Sequence, residues 1–193
     1  MFGIFNSKKR IASQISIAVM STIRLCFVCS KHLDSQGIFH PPYNFWNDSY
    51  VVGFVYGLIG WFIHFDYSGS SMKTQDKGEI ILRTFEQICG NDFTQAMAII
   101  QASAAAQNNA EFNLAVDHSA TAYGAMSGRI KDDDPSALLA EARLLAQRTH
   151  SVNIEMASML GTSASSNSSL GCAVLELSII KHVKEKFLAS TAC

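Results

Sequence analysis

Cys26, Cys29, His32 and His40 stand in the order C-x2-C-x2-H-x7-H. Thiolate and imidazole are zinc ligands, and a closed tetrahedral site needs four of them. The residues around them argue for another use. At about 100° per residue, Ile11, Ile15, Ala18, Val19, Thr22, Cys26, Cys29 and Leu33 share one helical face, and His32 drifts off it. Cysteine in an apolar stripe is among the most buried of residue types. Both cysteines are therefore read as core, and no metal is assigned. Nothing around Cys26 reads as the strand-to-helix turn of a redox pair.

A second set of reactive types falls in the predicted fifth helix. Glu111, His118 and Arg129 lie on one stripe beside its core face, and a general base with a carboxylate and an arginine could be built there. A solvated flank with weak ion pairing uses the same pattern. Asp117 precedes His118 directly, so the two point about 100° apart and form no pair. The acid run Asp132-Asp133-Asp134 lacks the spacing of a calcium loop. It reads as a helix start, with Asp134 as cap and Pro135 in the first turn. The chain contains no G-x-S-x-G, no phosphate-binding glycine loop, no G-x-G-x-x-G and no H-E-x-x-H. No catalytic residue and no cofactor are assigned, and binding and assembly rank ahead of catalysis.

Composition narrows the class further. Apolar residues make up 48% and charged residues 16% of the 193, against about 25% charged in ordinary soluble proteins. So little charge suggests that a partner covers some apolar surface. A net charge of −1 gives no field to attract nucleic acid. Five irregularly spaced cysteines do not form a disulfide framework, so the reading is a reducing, cytoplasmic setting. Lys8-Lys9-Arg10 and the apolar run after it imitate a signal peptide, but Ser13, Gln14 and Ser16 interrupt the run. Sequons at Asn47 and Asn167 matter only for a secreted chain.

Prolines occur only at 41, 42 and 135, which leaves long stretches permissive for helix. The predicted helices are 7–34, 48–65, 74–89, 93–107, 110–130, 136–160 and 170–188. A serine-rich loop at 161–169 precedes the last of them, and an aromatic loop at 38–48 follows the first. The expected fold is an all-α, single-domain bundle of six to eight helices over 1–193. Tyr50-x-x-Gly53-x-x-x-Gly57 resembles Phe112-x-x-Ala115-x-x-x-Ser119, which suggests a weak duplication of about 48–105 and 110–160.

The most unusual helix is the central one. Tyr50 to Phe65 carries no formal charge, with glycines at 53, 57 and 60. Glycine at spacing four lets another backbone approach closely. Gly53, Gly57 and Gly60 are the interface candidates, either inside one chain or in a homodimer. A membrane-associated protein using helices 11–33 and 50–65 is a further alternative, opposed by the cost of Arg24 in hydrocarbon. The leading expectation is a non-enzymatic, regulatory interaction protein acting as a homo-oligomer or on a protein partner. The alternative is a binder of an apolar small molecule, or an enzyme with an aromatic pocket. That pocket would be built near Phe39 from Tyr43, Trp46 and Trp61, with His64 or His118 as its polar group.

Overall fold

The computed structural model describes residues 2–28, 30–67, 69, 71–130, 135–159 and 166–188, with side chains at 7–28, 30–67, 69, 71–130, 135–148 and 169–188. Cys29, the acid run with its Asp134 cap, the loop at 161–165 and the tail at 189–193 lie outside it. So do the side chains of Thr149, Val152 and Met156 in the predicted helix 136–160. The all-α bundle is observed: the chain is 79% helical, with seven helices and no strand among the described residues.

The helices are α1 (Phe2–Cys26), α2 (Ser49–Asp66), α3 (Thr74–Ile88), α4 (Phe93–Ala105), α5 (Ala110–Ser127), α6 (Ala137–Met159) and α7 (Ser166–Leu175). Wider π-type turns carry α7 on to Leu188. Local signals set the starts of three helices. Asp48 caps α2 by accepting from the Val51 N–H at 2.8 Å, Asp92 caps α4 through Gln95, and Asn109 takes the N–H groups of Glu111 and Phe112. Each cap satisfies a donor that the first helical turn leaves orphaned. Gly128, at φ 68°, closes α5 in the left-handed conformation that glycine adopts without strain.

The first helix is shorter than its pattern predicts. It stops at Cys26, and the Phe27 N–H turns back to the Arg24 carbonyl. That turn drops Phe27 into the core, with its ring 4.9 Å from Phe39 and 5.6 Å from Phe45. Asp34 then accepts from the N–H groups of Gln36 and Ile38, and Leu33 pairs with Phe39. The periodicity of 27–34 belongs to a packed loop, because burying the Phe27 ring here outweighs continuing the helix.

Around the centre, α2 runs parallel to α5. Ser49 meets Asn109 at one end and Asp66 meets Tyr123 at the other. Beside them α1 lies along α3, tied by Lys8 to Asp76 and Glu79 and by Ser16 to Gln87. By length and composition α2 is apolar enough to cross a membrane, and 56% of that stretch is buried against its own chain.

Candidate functional site

Two sites of chemical interest sit on α2, one at each end. At its start, Asp48 is 1% exposed at the side chain. His182 Nε2 donates to Asp48 Oδ1 at 3.0 Å, and the Lys186 ammonium meets Oδ2 at 2.5 Å. Burial favours the neutral acid. Hydrogen bonds from His182, Lys186 and the Val51 N–H outweigh it and hold the carboxyl far below the usual range. The same contact raises Lys186. Tyr50, two residues on, stacks on the His182 ring at 4.3 Å and 19°.

Burial pushes the Tyr50 phenol up, so it stays protonated and donates to His118 Nδ1 at 2.6 Å. Burial lowers His118, so the neutral imidazole is the favoured acceptor. Asp48, Glu111 and His182 also bring three ligand-type atoms within 4.8 Å of one another. Yet the charge a divalent ion would neutralise is already met by Lys186. The arrangement is a latch: it joins the far end of α7 to the start of α2 through a buried carboxylate.

At the other end, Tyr56, Trp61, His64, Lys77 and Val116 line a cleft of about 310 Å³ between α3 and α5, over Gly57 and Gly60. The cleft falls at the small end of ligand-pocket sizes. Trp61 is held as a flat wall. It stacks on Phe65 (5.9 Å, 19°), Phe65 stacks on Tyr123 (5.6 Å, 11°), and Arg129 lies 4.9 Å over Phe65. Tyr123 in turn donates to Asp66 at 2.6 Å. Offset rings at these separations attract beyond their buried area, so the ladder fixes the indole plane. The Trp61 indole N–H is buried with no acceptor.

The glycines divide into two roles. A Cβ at Gly53 would meet the Phe112 carbonyl at 2.6 Å, and one at Gly57 would strike Ser119 Oγ and lie 3.2 Å from the Val116 Cα. The close approach that the sequence leaves open between one chain and two is made here within the chain, against α5. A Cβ at Gly60 would meet nothing within 4 Å.

The pocket candidates are dispersed. Trp61 and His64 share the cleft on α2. Trp46 packs in the core against Phe85, and with Phe39 it edges a different cleft of about 300 Å³. Tyr43 is 91% exposed. His118 belongs to the Tyr50 contact at the opposite end of α2. Of the zinc-type residues, Cys26 is buried, with its thiol pushed up to about 12, opposite to the thiolate a metal needs. His32 and His40 bond to each other's loop, with His32 Nδ1 3.1 Å from the His40 carbonyl.

Sequence reasoning missed His182, Lys186, Tyr50 and Lys77. For His182 no sequence signal exists, since its partner is 134 residues away. Tyr50 and Lys77 follow the ordinary pattern of their helices, and only the neighbouring helix gives either a role. Comparison with protein-family models, with curated proteins and with solved structures returned no match.

Proposed function

We propose that this chain is a helical small-molecule-binding protein whose ligand sits on α2 in the Trp61 cleft. One observation carries the reading: Gly60 opens the floor of the cleft directly beside the fixed indole wall. A glycine inside a helix costs about 1 kcal/mol relative to alanine. At Gly53 and Gly57 the crossing of α5 accounts for it. At Gly60 no atom comes close enough to require it; the space is what the glycine supplies. An apolar cleft with a few polar groups is the usual form of a ligand site.

The assembly reading rests on the same glycines and is weakened by their use inside the chain. What favours it is the exposed stripe of Ile17, Leu25 and Val28 on and just beyond α1. Solution mass tests it, and a monomer at all concentrations would remove it.

The test of binding is Gly60→Leu, which places a branched side chain in the cleft without striking a neighbour at Cβ. The probes are 2-naphthoate and its neutral amide, 2-naphthamide, followed through the Trp61 indole N–H resonance. A saturable shift in the wild type, lost in Gly60→Leu with the melting temperature retained, supports the reading. No saturable shift with either probe, or the same shift in Gly60→Leu, overturns it.

A further inference from the structure

We infer that the ligand of the Trp61 cleft is a flat organic anion, an aromatic or cyclic carboxylic acid of one or two rings; this rests on the binding reading above. The inference comes from which polar groups line the cleft and what they lack. Tyr56, Trp61, His64 and Lys77 each bring a group able to donate. No aspartate or glutamate lines it. None of the four side chains has a hydrogen-bond or ion-pair partner among the described residues.

At several helix contacts a cation meets a carboxylate. Lys8 meets Asp76 and Glu79, Arg83 meets Glu79, Arg129 meets Asp66, and Lys186 meets Asp48. Lys77 is on the same helix as Asp76 and Glu79, yet both of those carboxylates turn to Lys8. A cleft lined by donors, with an unmatched ammonium, is complementary to a ligand rich in acceptors and negatively charged. A carboxylate supplies both, and charge-assisted hydrogen bonds are about twice as strong as neutral ones.

Shape sets the rest of the class. The Trp61 plane, fixed by the Phe65 and Tyr123 ladder, favours a flat partner stacked on the indole. Gly57 and Gly60 present backbone rather than side chain beneath it. About 310 Å³ accommodates one or two rings with a carboxylate but not an extended lipid.

The experiment compares 2-naphthoate with its neutral isostere 2-naphthamide by calorimetric titration, on the wild-type chain and on Lys77→Met. Methionine keeps helix propensity and side-chain length, so the fold is retained. Binding of the acid about tenfold tighter than the amide is expected in the wild type. In Lys77→Met that preference should fall to within about threefold, through weaker binding of the acid. Equal affinities for acid and amide in the wild type overturn the anion inference and leave the binding reading standing. An acid preference that survives intact in Lys77→Met and also in a Lys77→Met/His64→Gln double variant overturns it too. Failure of both probes to bind overturns the binding reading and this inference together.

Discussion

Asp48 and His182, 134 residues apart, share a hydrogen bond of 3.0 Å that joins the end of α7 to the beginning of α2. Asp48 does two things at once: it caps α2 through the Val51 N–H and neutralises the Lys186 ammonium. The two roles separate by substitution. Asparagine is a good N-cap but carries no charge. Asp48→Ala should therefore cost about 3–5 kcal/mol, since it removes one partner of a buried pair. Asp48→Asn should cost less by about 1 kcal/mol, the value of a cap. Urea unfolding measures both, and equal losses would show that the cap contributes nothing.

The same carboxylate gives an acid limb to stability. Its folded pKa is depressed. Above the unfolded value of about 4 the carboxylate is charged in both states, and its stabilisation is complete. Below that pH the unfolded chain takes up the proton first, and the stabilisation is lost progressively. Stability measured from pH 6 down to pH 3 should fall more steeply in the wild type than in Asp48→Asn. Parallel curves would mean that other carboxylates carry the acid limb.

His118 gives a second limb, nearer neutrality. Burial lowers its pKa, so the folded state resists protonation that the unfolded chain accepts below about 6.5. Stability should decline as pH falls through that value, and the His118 ring signals should titrate at lower pH than a free histidine. Tyr50→Phe leaves Nδ1 without its donor and should cost about 1 kcal/mol. A His118 titration at or above the free value would contradict the buried, neutral imidazole.

Gly57 and Gly60 should respond in opposite directions to one added methyl. Gly57→Ala forces Cβ against Ser119 and the Val116 backbone, an overpacking that costs about 1–3 kcal/mol. Gly60→Ala meets no atom and should gain about 0.5–1 kcal/mol from helix propensity. Thermal melts of the two variants are the check. A stabilised Gly57→Ala would refute the tight crossing of α5.

Thiol chemistry supplies a further check on the packing. The thiols of Cys26 and Cys89 are pushed up to about 12 by burial, while Cys172 is exposed. Thiolate is the reactive form. Of these three, Cys172 should alkylate first under native conditions at pH 8, with Cys26 and Cys89 modified only after unfolding. Peptide mapping after a timed iodoacetamide exposure reads the order.

The sequence by itself determined the helices and the starts of three of them. Asp48, Asp92 and Asn109 stand directly before α2, α4 and α5, and a cap acts within three residues. The absence of formal charge from Tyr50 to Phe65 also marked α2 as the helix to bury. Where a local rule met a long-range contact, the local rule lost: the stripe running on to Leu33 gave way at Cys26 because Phe27 could join Phe39 and Phe45 in the core. Only the tertiary structure decided what the glycines face, which cation meets Asp48, and where Trp61 and Lys77 come together. Those outcomes depend on the relative direction and register of helices far apart in the chain. Helix α5 closes over Gly53 and Gly57, while Gly60, three residues on and turned about 60° from Gly57, stays open. A glycine's local sequence is the same in either case; the helix packed across it assigns the role.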